Sequence, residues 1–143
     1  MNSILDEQIA FDTNEFIFGV RQTPGSFACT ELLFEKSSRL NLYIPLQVLL
    51  ELQRNLTDSE MRGVFLALNK AKSVQFDYSL AKAELIAKWE AQGAKKGDAV
   101  IAAHLEAANV FYLISENRHF LTGILGLPFQ VLTSQQVVSM LAG

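Results

Sequence analysis

The sequence predicts a three-layer α/β/α sandwich with a mainly parallel central sheet of four to five strands. Short apolar runs alternate with helix-length amphipathic stretches along the chain, and such alternation is the pattern of a parallel sheet covered by helices. The run Val110-Phe111-Tyr112-Leu113-Ile114 is β-branched, aromatic and apolar throughout. A central strand buried on both faces reads this way. At 143 residues the length corresponds to one domain, 1–143, with enough chain for a real core.

The elements follow in order. Residues 8–12 form the first strand, ending in Ile9-Ala10-Phe11 and Asp12. Pro24-Gly25 marks a turn before a helix at 26–37. A strand at 40–44 leads to a helix at 46–55, with Pro45 suited to its first turn. Thr57 and Glu60 have capping-box spacing and start a helix at 58–71. A strand at 74–76 and a helix at 79–92 follow, then a loop between Gly93 and Gly97. A helix at 98–108 feeds the strand at 110–115. The last strand, 129–132, precedes a helix at 134–142 with Ser134 as N-cap.

Composition narrows the classes. Half the residues are hydrophobic (50%), which suits a folded globular chain. The net charge is −3, from 12 basic and 15 acidic residues, without the overall basic character of many nucleic-acid binders. A nucleic-acid substrate would need a local basic patch or bound cations. Cys29 is the single cysteine, so no disulfide framework or CxxC metal site is expected, as suits a reducing compartment. No basic-then-apolar leader and no long uncharged apolar run is present, so neither a signal peptide nor a membrane span is expected.

Four acids stand out. Asp12 ends the first strand, where open α/β sheets place their ligands; a capping or turn aspartate occupies the same position. Thr13 and Asn14 are placed to hold its carboxylate. Asp98 shares a helix face with Ile101, Ala102 and Leu105. A capping role explains an acid at a helix start but not one that points inward. Glu51 clusters with Gln47, Arg54 and Asn55 on a polar stripe, which periodicity reads first as a solvated face and which would also suit a helix lining a wet cleft. Glu116 and Asn117 follow the most hydrophobic strand, again at a strand end. His104 reads as a packing or surface residue and not as a general base, and Trp89 as core and not as a base-stacking platform.

These residues resemble the PIN domain family, a metal-dependent ribonuclease fold, in order and spacing over essentially the whole chain. Asp12-Thr13-Asn14-x-x-Ile17 resembles its opening motif and Leu50-Glu51-Leu52 its second-acid motif. Gly97-Asp98-Ala99-Val100-Ile101-Ala102-Ala103 resembles the third, and Leu113-Ile114-Ser115-Glu116-Asn117-Arg118-His119-Phe120 the fourth. The resemblance implies that Asp12, Glu51 and Asp98 bind Mg²⁺ or Mn²⁺ and, with Asn117, make up the catalytic set. Many members carry a hydroxyl residue, one spacer, then Asp or Asn in the fourth motif. Here Asn117 takes that slot, with Glu116 beside it as a further candidate metal ligand. His119 stands where toxin-type members often carry an acid. Thr13, Asn14, Ser115 and Arg118 are candidate substrate contacts, and Lys95 and Lys96 flank the third motif.

The resemblance implies a Mg²⁺/Mn²⁺-dependent endoribonuclease. The short form looks like the VapC-like toxin of type II toxin–antitoxin pairs. That implies an RNA substrate, a small antitoxin partner, a homodimer and a cytoplasmic location. A catalytically inactive PIN-like module that binds RNA or protein is the alternative. Outside the family, a dehalogenase-like phosphatase also sets an aspartate at a strand end, but it wants a second acid where Asn14 stands.

Overall fold

In the computed structural model, which describes residues 3–142, five strands form one all-parallel sheet. They are β1 (Gln8–Phe11), β2 (Asn41–Pro45), β3 (Ser73–Asp77), β4 (Tyr112–Ile114) and β5 (Gln130–Leu132). Their spatial order is β3-β2-β1-β4-β5. The chain steps outward from β1 to β3, then returns to the other side of β1. The order therefore reverses between β1 and β4, and ligand crevices form beyond the strand ends at such a point. Ala10 pairs with Leu113 and Phe11 with Ile114, so the residues that follow both strands emerge side by side.

Seven α-helices are described: α1 (Thr13–Arg21), α2 (Phe27–Glu31), α3 (Leu46–Asn55), α4 (Asp58–Leu68), α5 (Ala83–Ala91), α6 (Lys96–Ala108) and α7 (Ser134–Ala142). Right-handed crossovers put the helices of the outward steps on one face and those of the return on the other. Accordingly α1 packs on α2, α3 and α4, while α5 packs on α6. Ile9, Ala10, Leu42, Ile44, Leu113 and Ile114 are fully enclosed between the layers. Trp89 is buried and donates from Nε1 to Glu106 Oε1 at 2.8 Å, a packing role.

Several expectations change in detail. Residues 13–21 form a helix, α1, where the sequence reading places none. Glu15 and Gly19 are both buried on it and interrupt its apolar face, which hides the 3.6-residue period. Asp12 is its N-cap, and Gln22 in the left-handed region (φ 51°) ends it. The helix expected at 26–37 is α2 continued by a π-helical turn, Leu32–Lys36, and a 3-10 turn, Ser37–Arg39. The strand expected at 110–115 is shorter. Asn109 (φ 56°) closes α6, and Val110 N–H still donates to Leu105 O, so extended pairing starts only at Tyr112. Thr57 and Glu60 do form the capping box of α4.

The N-cap expectation for α7 shifts by one residue. Thr133 N–H donates to Gln136 Oε1 at 2.8 Å, and Gln136 N–H to Thr133 Oγ1 at 3.2 Å. This reciprocal pair caps the helix and leaves the Ser134 side chain, wholly buried, for other partners.

Gly19 packs α1 against α2 and the π-helical turn that continues it. A Cβ there would sit 3.0 Å from both Cys29 O and Leu33 Cδ2. Gly19→Ala should therefore lower stability by about 1–3 kcal/mol, the usual cost of overpacking. The urea midpoint checks this; an unchanged midpoint would show that the helices separate freely.

Candidate functional site

The crevice at the β1–β4 junction is built from the backbone outward. Asp12 N–H donates to Ile114 O at 2.9 Å, which fixes the end of β1 against the end of β4. The buried Ser115 hydroxyl then donates to Asp12 Oδ2 at 2.8 Å. Thr13 N–H donates to Asp12 Oδ1 at 2.8 Å. Ser115 Oγ also accepts from Asn117 N–H at 3.0 Å. One hydroxyl thus sets both an acid and the loop facing it.

Glu51 arrives from α3. Gln47 Nε2 donates to its Oε2 at 2.8 Å, and Thr13 Oγ1 donates to its Oε1. The Thr13 side chain therefore serves Glu51 and not Asp12, to which only its backbone donates. The polar stripe read on this helix faces a wet cleft. Asp98 sits inside the first turn of α6, and Lys95 holds the cap position without a side-chain bond. Asp98 is thus not the capping residue. A helix that returns antiparallel to the strands begins at the strand-end edge of the sheet, which accounts for its position. Gly97 lets Glu51 approach this turn: a Cβ would lie 2.9 Å from Glu51 Oε2.

Asn117 completes the ring. His119 N–H donates to Asn117 Oδ1 at 2.9 Å. A backbone N–H can only donate, so the amide oxygen faces it and Nδ2 faces the acid. Nδ2 donates to Asp98 Oδ2 at 3.3 Å. In this arrangement Asn117 holds a carboxylate in place, and its carbonyl is turned to the loop.

Asp12, Glu51, Asp98 and Asn117 line one cleft of about 280 Å³, with Asn14 and Arg54 in its wall. An adjoining groove of about 640 Å³ shares Glu51 and Arg54 and adds Lys96 and Gly97. Glu116 does not join the cleft. Its Oε2 accepts from Ser134 N–H at 2.9 Å and lies 2.9 Å from Ser134 Oγ, beside Glu15. Burial works against its ionised form, yet the hydrogen bonds from Glu15 and Ser134 hold its carboxyl below the usual range. Arg118 is exposed and outside the cleft wall. His104 is buried apart from the cleft, where burial lowers its pKa and Asp77 partly restores it.

The cleft's acids feel burial and each other. Burial pushes Asp12 up from 3.8 to about 6; Ser115 and the Thr13 N–H oppose this, and the charges of Asp98 and Glu51 add to it. Burial also raises Asp98; Asn117 opposes it, Glu51 adds to it, and the charges of His119 and Lys95 pull it down. Three carboxylates converging in one cleft, with Arg54 in its wall and Lys95 near Asp98, suit a divalent cation. All-oxygen donors select a hard one, of the Mg²⁺ or Mn²⁺ type. The sequence reading missed two contributors. Gln47 was legible as a neighbour of Glu51 on the polar stripe. Glu15, three residues after Asp12, carried no signal beyond being an acid in a helix's first turn.

No family of known protein sequences and no curated protein matches the chain. Solved structures do. The chain is similar to VapBC2 from Rickettsia felis, solved bound to a DNA fragment from their promoter, with TM-score 0.61 and 19% identity over 87% of this chain and 98% of that one. It is also similar to PAE2754 from Pyrobaculum aerophilum, with TM-score 0.58 and 13% identity over 98% of both chains. The fold is PIN-like. Such identities carry the fold alone.

The Asp12 shift has a sign. Its folded pKa lies above the ordinary value, so its contribution favours the folded state at low pH and is lost as pH rises from about 4 through about 6. Metal-free Asp12→Asn protein should gain about 1–3 kcal/mol over the parent at pH 7.5 and almost nothing at pH 4. Paired urea melts in EDTA check this. A gain of equal size at both pH values would mean the buried charge is not its source.

Proposed function

We propose that the chain is a Mg²⁺/Mn²⁺-dependent endoribonuclease, the toxin of a type II toxin–antitoxin pair. The observation that carries the reading is the convergence of Asp12, Glu51 and Asp98, from three separate elements, on one cleft at the strand-order reversal. Directed donors hold all three carboxylates, an arrangement with no evident purpose for the core. When bound, a divalent cation offsets their repulsion and supplies a water of lowered pKa.

Asp12, Glu51 and Asp98 are the cation ligands in this reading. Ser115, Gln47, Thr13 and Asn117 position them. Asn117, the fourth member of the sequence-based set, acts through Asp98 as a donor, and Glu116 is left to another role. Arg54 borders both the cleft and the adjoining groove. With Lys96 it is better situated than Arg118 to meet an RNA backbone, and Asn14 lies open in the cleft wall for the same purpose.

The likeness to the VapBC2 assembly supports an antitoxin partner for this chain, and a homodimer is part of the same proposal. No described helix is long and apolar enough to cross a membrane. The buried, unpaired Cys29 suits the reducing cytoplasm. One observation favours the second reading, an inactive RNA- or protein-binding module: the fourth corner of the cleft carries an uncharged amide.

Cleavage of a structured RNA separates the two. The purified protein should cut in Mg²⁺ or Mn²⁺ and stop in EDTA. Asp12→Asn and Asp98→Asn should fall to background while keeping the parent's circular dichroism. Undiminished cutting by both folded variants would overturn the metal assignment. No cutting by the parent, with no Mn²⁺-dependent rise in its melting temperature, would leave the binding module as the reading.

A further inference from the structure

A second group of ligand-type side chains lies behind the cleft, and the proposed chemistry does not use it. Glu15 comes from the first turn of α1, Cys29 from α2, Glu116 from the loop after β4, and Ser134 from the start of α7. One ligand atom each of Glu15, Cys29 and Glu116 lies within 4.8 Å of the others. Glu15 is 2% exposed and Cys29 3%.

With both carboxyls ionised, the group is short of donors. Ser134 Oγ donates to Glu15 Oε2 and lies 2.9 Å from Glu116 Oε2, with Cys29 Sγ at 3.2 Å. A hydroxyl carries one proton, so it cannot serve both carboxylates at once. Glu15 Oε1 is buried with no hydrogen-bond partner. An unpartnered carboxylate oxygen in such surroundings is costly. Something positive belongs there, either a proton shared by the two carboxyls or a metal ion.

We propose that Glu15, Cys29 and Glu116 form a buried site for a borderline-soft divalent cation of the Zn²⁺ class, with the Ser134 hydroxyl as the fourth donor. The sulfur decides the class. Two carboxylates alone would suit Mg²⁺, but a thiolate selects zinc-like ions over hard ones. Tetrahedral zinc separates its ligand atoms by about 3.5 Å, so the three ligand atoms within 4.8 Å of one another adjust to the ion by side-chain shifts, while Ser134 Oγ, 2.9 Å from Glu116 and 3.2 Å from Cys29, moves outward to admit it. Binding requires the thiolate, and the protons of Cys29 and of the carboxyl pair leave to solvent. Without an ion, burial and the neighbouring acids favour the protonated forms of Glu15 and Cys29. The site ties four elements together next to Ser115 and Asn117, which hold Asp12 and Asp98. It is distinct from the cleft in ligands and in metal preference, so it stands whether or not the cleft cuts RNA.

Cobalt is the probe. Reduced protein titrated with Co²⁺ should develop thiolate-to-cobalt charge-transfer absorption in the near ultraviolet, saturating at one ion per chain, and Zn²⁺ should remove it. The absorption should persist in the Asp12→Asn/Asp98→Asn protein, whose cleft has lost two ligands. Cys29→Ser should abolish it, and Glu15→Gln should weaken cobalt binding at least about tenfold. Absence of the band in the parent would overturn the proposal and leave a shared proton as the occupant. A band unchanged by both Glu15→Gln and Glu116→Gln would overturn it too, as simple thiol binding. The parent measurement decides even if a variant fails to fold.

Discussion

The hydroxyl of Ser115 joins the two central strands at the place where their order reverses. It donates to Asp12 and accepts from the Asn117 backbone, while Ser115 N–H reaches Leu132 O at 2.9 Å. Strand ends from β1, β4 and β5 are therefore locked into one arrangement by a single buried residue. The register of β1 against β4 brings that hydroxyl to Asp12. A slip of one residue would turn Ser115 to the other face of the sheet and leave the Asp12 carboxylate buried with one donor fewer.

That arrangement works against the acids it assembles. Two like charges about 4 Å apart repel by roughly 4 kcal/mol at an effective dielectric near 20, and burial adds a desolvation cost. The directed donors on Asp12, Glu51 and Asp98 recover part of this, and the elevated pKa of Asp12 reports the remainder. Crowded acids at a strand edge, Asp12 with its pKa raised among them, are a common electrostatic mark of a site for a partner of opposite charge. The Glu15–Glu116 pair shows the same tension more strongly: burial and its neighbour hold Glu15 up at about 9.

Much of the fold was legible because it is written in periodicity. The apolar runs around Ile9, Leu42, Val74, Leu113 and Val131 each became a strand, and alternation with helices specified parallel pairing. Periodicity failed at α1, whose buried face includes Glu15 and Gly19. The convergence of Asp12, Glu51 and Asp98 was legible only from their motif order, since topology brings them together and no local pattern states it. The Glu116–Asn117 corner was not legible. Neighbouring residues on a loop point in different directions, and the choice between them rests on Ser134 and Glu15, which lie 18 residues downstream and 101 upstream of Glu116 in the numbering. Sequence proximity put Glu116 in the cleft; hydrogen bonds to α7 take it out.

Gly97 bears on how such proteins are recognised. It makes room in α6 for the Glu51 carboxylate, yet it is neither acidic nor polar and would be passed over in any inventory of reactive groups. A chain bearing alanine there would keep every acid, but its Glu51 carboxylate would have to shift to clear the new methyl. Sorting relatives into working and degenerate copies by their acids alone would place that chain on the wrong side of the line. The diagnostic letter for an intact centre includes the smallest residue beside the acids.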